Sequence, residues 1–262
     1  MRQASASVVP SAPNRVPKVT ADFWLVKLLA VTMGETAADY LAVNLGLGLQ
    51  VTSWIMAAIL AVFIVLQFLQ RRYVPWAYWA AVVMISIVGT LVSDNLVDNL
   101  GVPLEVSTII FSVTLLATFA MWYWSERTLS IHTVITTRRE VFYWLAILFT
   151  FSLGTSAGDL VAEQFELGYL TTGVLFCAIV IVFWIAYLLG ANAVLTFWLA
   201  YIFTRPLGAS FGDLLSQPLE YGGLGFGTIV TSLLFLACIV ATVIFMTITH
   251  REEESVTDVS PA

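Results

Sequence analysis

The chain has 262 residues, of which 60% are hydrophobic and 11% are charged, and its mean hydropathy is +0.92. In soluble domains about a quarter of the residues are charged, so this composition argues against a soluble protein and predicts a polytopic membrane protein. The formal net charge is -6, and the sequence has no basic stripe, so no nucleic acid is expected as a partner. The expected partners are lipid, small solutes and other copies of the chain in a homo-oligomer.

Eight apolar stretches are long enough to span a membrane. Because a spanning helix needs about 20 mainly apolar residues, we predict an all-α fold with helices at roughly 22–43, 51–70, 76–97, 106–124, 141–163, 170–189, 194–215 and 225–249. These helices group into two related four-helix halves, 21–124 and 141–249, with a cytoplasmic linker at 125–140. The polar ends, 1–20 and 250–262, are predicted to be disordered tails.

A motif of the form W-x9-G-x4-D occurs once in every odd-numbered predicted helix. The motif tryptophans are Trp24, Trp79, Trp144 and Trp198, the glycines are Gly34, Gly89, Gly154 and Gly208, and the acids are Asp39, Asp94, Asp159 and Asp213. One aromatic residue precedes each tryptophan. The chain is therefore predicted to consist of four two-helix hairpin repeats.

The basic residues predict how these repeats are oriented. All 11 lie on the terminal segments, on the odd-numbered helices or their starts, or on the connections between repeats. The turns inside the hairpins carry none, so the positive-inside rule predicts cytoplasmic termini and outward-facing turns. All four repeats then cross the membrane in the same direction.

The four motif aspartates are predicted to share one cavity. With each tryptophan at the cytoplasmic interface, a rise of about 1.5 Å per residue places the motif glycine near mid-membrane and the aspartate in the outer third. An ionised aspartate inside the membrane costs about 2.5 to 3.5 kcal/mol on insertion scales, so four in register indicate a site. Four inner motif helices would surround an acidic cavity that opens to the outside.

Neighbouring polar residues extend this predicted site. Glu35, Asp98 and Glu163 are predicted auxiliary ligands, supported by Thr90, Thr155, Asn44, Asn99, Gln164 and Gln217. The motif glycines lie on another helix face and are predicted to allow close helix packing. A simpler interpretation is that the carboxylates cap helix ends or bond across hairpins near the interface.

The fourth repeat carries Arg205-Pro206 where the other repeats have apolar or hydroxyl residues. A guanidinium at this depth needs a counter-ion. Two interpretations stay open: Arg205 blocks or gates the cytoplasmic half as an internal cation, or it forms a structural pair with an aspartate.

Oxygen ligands favour hard cations such as Mn²⁺, Mg²⁺ or Ca²⁺, and clustered acids can also share protons. No nucleotide-binding or hydrolase motif occurs, so neither an enzyme nor a cofactor is expected, apart from a possible bound divalent cation. The first hypothesis is a secondary transporter of a divalent or proton-coupled cation. A cation channel with an acidic ring and a non-transport scaffold or sensor are the alternatives.

Two repeated segments, GETAADYLAVNLG at 34–46 and GTSAGDLVAEQFELG at 154–168, resemble an uncharacterised family of bacterial integral membrane proteins labelled as membrane-anchored. The resemblance covers residues 22–249. It implies a location in the bacterial inner membrane, and it implies no activity.

Overall fold

The computed structural model describes residues 14–259, with side chains described to residue 249. The helices are α1 Ala21–Asp39, α2 Leu49–Phe68, α3 Pro75–Asp94, α4 Leu104–Glu126, α5 Thr137–Asp159, α6 Gly168–Leu188, α7 Ala193–Ser216 and α8 Thr228–Val259. No strand occurs in this part of the chain. The predicted all-α class with eight long helices is confirmed for these residues.

The four motif helices form an inner ring. α1 packs against α3 and α7, and α5 packs against the same two helices, so the cyclic order is α1, α3, α5, α7. In the most apolar windows of α3 and α5, 61% of the residues are buried, against 11% in α2. The even-numbered helices therefore lie on the outside of the ring.

Aromatic contacts at the start of the motif helices show that the four helices run parallel. The ring centroids of Phe23 and Trp79 are 5.6 Å apart, and those of Tyr78 and Trp144 are 5.5 Å apart. Tyr143 in turn lies 6.2 Å from the ring of Trp198. Since the residue before each motif tryptophan contacts the tryptophan of the next repeat, the helices begin at one common level.

The motif glycines provide the same kind of contact deeper in the ring. A Cβ built on Gly89 would lie 2.6 Å from Phe151 Cβ, and one built on Gly208 would lie 2.8 Å from Val31 Cβ. Gly34 faces Ser86 and Gly154 faces Arg205 in the same way. Each glycine thus receives the residue seven positions after the tryptophan of the following repeat, and the fourth repeat closes onto the first.

The outer helices pack across repeats rather than within them. α2 packs on α3, α4 on α5, α6 on α7, and α8 on α1. The hairpin prediction is therefore corrected, because the two helices of one repeat contact each other little or not at all. A single repeat cannot bury its apolar face alone, so each outer helix covers the inner helix of the next repeat, and α8 closes the circle.

This cyclic packing also joins the two predicted halves. Two contacts, α3–α5 and α7–α1, join the half 21–124 to the half 141–249. They use the same motif glycine positions as the contacts within each half, α1–α3 and α5–α7. The halves are consequently continuous in one ring.

The predicted tail and linker contain ordered residues that pack together at the end of the ring where the inner helices begin. Asn14 Nδ2 donates to the Ile131 carbonyl at 3.0 Å, and Arg15 Nη1 donates to Glu140 Oε2 at 2.7 Å. Glu140 is fully buried and also accepts a hydrogen bond from Gln67 Nε2 at 3.1 Å. Part of the predicted tail, 14–20, thus belongs to the folded structure, because a buried carboxylate at the start of α5 needs its basic partner.

The boundaries of the other connecting segments differ from the predicted ones as well. α4 continues to Glu126 and α5 begins at Thr137, which shortens the linker predicted at 125–140. α8 continues to Val259 and so takes in most of the tail predicted at 250–262. The other residues of the predicted tails, 1–13 and 260–262, lie outside the described part of the chain.

Six helices of the described chain are long and apolar enough to cross a membrane, namely α2, α3, α4, α5, α6 and α8. Large aromatic residues on the outer helices face away from the protein, and Trp54, Trp124 and Trp184 are 73%, 77% and 61% exposed. These features indicate a membrane protein. The inner helices α1 and α7 do not reach the same apolarity, since they carry charged residues that face the interior of the ring.

Candidate functional site

The motif acids lie near the carboxyl ends of the inner helices, a level that we call the acidic end of the ring. Asp39, Asp94 and Asp159 are the last residues of α1, α3 and α5, whereas Asp213 precedes the end of α7 at Ser216. The parallel ring therefore brings the aspartates of all four repeats to one end of the bundle.

Three carboxylates meet at this end. One oxygen each of Glu35, Asp159 and Asp213 lies within 4.8 Å of the other two. We call these residues the acid triad. Two are predicted motif acids, and the third is a predicted auxiliary ligand that lies one helical turn before Asp39.

Exposure increases from the triad toward the ends of the inner helices. Glu35 and Asp213 are only 5% and 7% exposed, while Asp39, Asp94 and Asp159 are half-buried. The predicted ligands Asp98 and Glu163, which lie one turn further, are exposed. The triad is thus reached from the acidic end of the ring.

Some supporting residues contact the acids and others do not. Thr90 donates to Glu35 Oε2 at 3.1 Å, and Gln217 Nε2 donates to Asp39 Oδ2 at 3.3 Å. Three predicted supporting residues are exposed and bind elsewhere: Asn44 accepts from Thr228 Oγ1, Asn99 donates to Asn95, and Gln164 donates to Glu105. These three are corrected to surface contacts.

Directly after the motif acid, three inner helices change to π-helix, at Tyr40–Asn44, Asn95–Asn99 and Leu160–Gln164. Asn44, Asn99 and Gln164 are the last residues of these segments, at the exposed end of the inner helices. Their position at this end explains the surface contacts, because a π-turn bonds to the fifth residue and so does not turn them away from the face of the motif acid.

Arg205 lies directly beside the triad and is fully buried. Its Nη2 donates to Glu35 Oε2 at 2.7 Å and to Thr155 Oγ1 at 2.8 Å, and it also contacts Thr90 Oγ1. Among the described residues, its Nε and Nη1 have no hydrogen-bond partner. The ion pair thus forms with Glu35 of the first repeat rather than with an aspartate as predicted.

Lys27 is a second buried cation, and it is not among the predicted site residues. Its Nζ donates to the Tyr201 carbonyl at 2.9 Å and to the Thr204 hydroxyl. The same atom lies 4.4 Å from the centroid of the Tyr201 ring. Lys27 precedes Glu35 by eight residues, so the two share one helix face, and this spacing was the signal available in the sequence.

Aromatic side chains fill the ring at its amino-terminal end. Phe23, Tyr78, Tyr143 and Tyr201 have no exposed surface, and the hydroxyls of Tyr78 and Tyr143 lie 2.5 Å apart. From this end to the acidic end, the interior therefore passes from a packed aromatic layer, through Lys27 and Arg205, to the carboxylates.

Sequence comparison supports the division into four units. Four segments of the chain, 23–73, 77–128, 142–191 and 196–252, match a family described as "Repeat of Unknown Function (DUF347)". The chain belongs to this family. Each DUF347 repeat contains one inner helix with its motif and one outer helix, so the predicted number of repeats is confirmed. Neither curated proteins nor solved structures give a significant match.

The fourth DUF347 repeat differs from the others where the triad meets the cations. The position 11 residues after the motif tryptophan is Glu35, Thr90 and Thr155 in the first three repeats and Ala209 in the fourth. Those three residues are the ones that Arg205 Nη2 contacts. The small alanine and the long arginine one turn earlier thus place a positive charge among the equivalent residues of the other three repeats.

Proposed function

We propose that this protein is a secondary transporter of a cation, either a divalent metal such as Mn²⁺ or a proton-coupled cation. The supporting observation is the convergence of Glu35, Asp159 and Asp213 within 4.8 Å of one another. Carboxylate oxygens at this spacing suit a hard cation or shared protons. Asp39 and Asp94 contribute further negative charge at the same end of the ring.

The balance of formal charge inside the ring favours cation uptake. The five acids of the acidic end, Glu35 and the four motif aspartates, face two basic residues, Lys27 and Arg205. Ionised groups in a membrane interior pair with one another or with bound ions, because uncompensated charge is expensive there. Protons or a metal cation would supply the missing positive charge.

The closed aromatic end favours a carrier over a channel. Lys27 and Arg205 lie between the triad and the buried aromatic residues, and a cation that moved through this region would meet two positive charges. A carrier needs access to the site from one side at a time. A channel with an acidic ring is the second candidate, and it would require this end of the ring to open into a continuous pore.

Flux measurements in proteoliposomes distinguish the two candidates. We expect saturable cation uptake that is linked to proton movement, without large currents driven by voltage. Voltage-driven currents that do not saturate would favour the channel instead.

We further propose that all eight helices cross the bacterial inner membrane, with both termini in the cytoplasm. Arg71 and Arg127 lie on the α2–α3 and α4–α5 connections, and Arg138 lies in the first turn of α5, which supports this orientation. In a variant without Cys177 and Cys238, we expect a cysteine at exposed Arg71 to react with an impermeant thiol reagent only from the cytoplasmic side. A cysteine at Glu220 is expected to react from the outside, and the opposite pattern would reverse the orientation.

Metal binding tests the role of the triad. In a thermal-shift series with Mn²⁺, Mg²⁺ and Ca²⁺ at two pH values, we expect at least one ion to stabilise the purified protein. A ligand at one hundred times its Kd adds about 2.7 kcal/mol to the free energy of unfolding. We expect Asp159→Asn and Asp213→Asn to lose most of this stabilisation.

Asp22→Asn is the matched control, because Asp22 is an exposed carboxylate in the first turn of α1. It should keep the full metal-dependent shift. The proposal fails if no ion stabilises the wild type, or if the triad variants respond to the ion as the wild type does. In that case the acids would serve a non-transport scaffold or sensor, which the Asp39–Gln217 and Glu35–Arg205 contacts would also suit.

A further inference from the structure

Arg205 occupies one oxygen of Glu35 and leaves the other available. Glu35 Oε2 accepts hydrogen bonds from Arg205 Nη2 at 2.7 Å and from Thr90 Oγ1 at 3.1 Å. Since Oε2 accepts both of these hydrogen bonds, Oε1 is the Glu35 oxygen that remains to bind a cation held by the triad. Donors of this kind orient metal-binding carboxylates in many proteins.

The guanidinium is held in place by groups other than the acids. Its Nη2 also donates to Thr155, and its Cζ lies 5.4 Å from the centroid of the Phe151 ring. Its stem packs on Gly154, where a Cβ would overlap Arg205 Cβ and Cγ. Arg205 can thus stay beside the triad whether or not an ion is bound.

Arg205 also reduces the net negative charge at the triad. Glu35, Asp159 and Asp213 together carry three negative charges when ionised, and the neighbouring guanidinium reduces the sum to minus two. Within this group of four side chains, a divalent cation would neutralise the sum, whereas a monovalent ion would leave one negative charge and a trivalent ion one positive charge. In a buried setting each uncompensated charge is costly.

We propose that Arg205 is a positioning residue that makes the triad selective for divalent cations. It does so by orienting Glu35 and by setting the formal charge of the site to minus two. This inference rests on the proposed cation site and names the substrate class of that site. Among the described residues, the Nε and Nη1 of Arg205 are buried donors without a partner, so ordered water beside the triad would satisfy them.

The test compares the affinities of the purified full-length protein for Mn²⁺ and Tb³⁺, which differ in charge. Arg205→Gln makes the formal charge of the triad minus three, so we expect the affinity ratio to shift toward Tb³⁺ by about tenfold or more. Glu35→Gln makes it minus one, and the ratio should shift by a similar factor toward Mn²⁺. The double variant returns the charge to minus two and should return the ratio to nearly the wild-type value.

Two further variants separate charge from packing and from general effects. Arg205→Lys keeps the charge but loses the planar guanidinium, so the ratio should be retained while Mn²⁺ binds more weakly. Arg71→Gln removes an exposed arginine on the connection between α2 and α3 and should leave both affinities unchanged. If Arg205→Gln does not fold, Glu35→Gln and the double variant still test the dependence on charge.

The outcomes distinguish this inference from the proposed function. If the wild type binds Mn²⁺ but the ratio is the same in all folded variants, the selectivity role of Arg205 is wrong and the cation site stands. If the wild type binds neither ion, both proposals fall. Opposite shifts in the two single variants, with recovery in the double variant, would establish the role of charge.

Discussion

Gly89→Ala is expected to destabilise the folded bundle by about 3 kcal/mol, because it forces a methyl group into a closely packed helix contact. The added Cβ would lie 2.6 Å from Phe151 Cβ and 3.3 Å from the backbone nitrogen of Ser152. Backbone on the facing helix cannot turn aside as a flexible side chain can, so α3 and α5 must separate. Reversible unfolding in mixed detergent micelles measures the change.

Gly173→Ala is the matched control for this substitution. Gly173 is also a buried helical glycine, but a Cβ there would meet its nearest neighbours at 3.6 Å, an ordinary contact distance. Alanine is favoured over glycine within a helix by about 1 kcal/mol, so this variant should be neutral or slightly more stable. Equal stability of the two variants would contradict the close α3–α5 contact.

A second substitution tests whether the overlap with Phe151 is the cause. Phe151→Gly alone removes a buried aromatic ring together with the Cβ that a methyl group on Gly89 would meet, and should be destabilising by at least about 3 to 5 kcal/mol. Combined with Gly89→Ala, its cost should be smaller, because the overlapping Cβ is absent. Phe151→Ala keeps that Cβ and is the control, and a purely additive Gly89→Ala and Phe151→Gly pair would place the strain elsewhere.

The number of helices and the number of repeats were predictable because both depend on local sequence features. Hydropathy marks apolar stretches of spanning length, and the spacing from Trp24 to Asp39 recurs in each repeat. The packing partners were not predictable in this way. Whether α2 covers α1 or α3 depends on surfaces that form only when the ring closes.

The acidic site was predictable in part for a related reason. Glu35 and Asp39 lie on one α-helical face, so helical spacing correctly predicted that both belong to the acidic end of the ring. The prediction failed beyond the motif acids, because Asn44 and Asn99 lie at the exposed ends of the inner helices and bind other surface residues there. Lys27 occurs in a single repeat, so no repeated pattern pointed to it.

Glu35→Leu is expected to have the largest effect on stability of the substitutions at the acidic end. It removes the carboxylate that pairs with Arg205, and among the described residues the fully buried guanidinium then keeps hydrogen bonds to threonine hydroxyls alone. Breaking one partner of a buried ion pair costs about 3 to 5 kcal/mol, because the remaining charge stays desolvated. Unfolding of the purified variant, measured without metal, gives this cost directly.

Glu35→Leu combined with Arg205→Met separates the penalty of the orphaned charge from the value of the pair itself. Methionine removes the charge and still fills part of the space, so the double variant should recover most of the lost stability. Glu220→Leu, at an exposed glutamate, is the control and should change stability by less than about 0.5 kcal/mol. A double variant no more stable than Glu35→Leu would mean that packing, rather than charge, makes Glu35 necessary. Recovery of stability together with loss of metal-dependent stabilisation would instead indicate that the ion pair is maintained for the site, since an apolar pair would then fold as well without binding the ion.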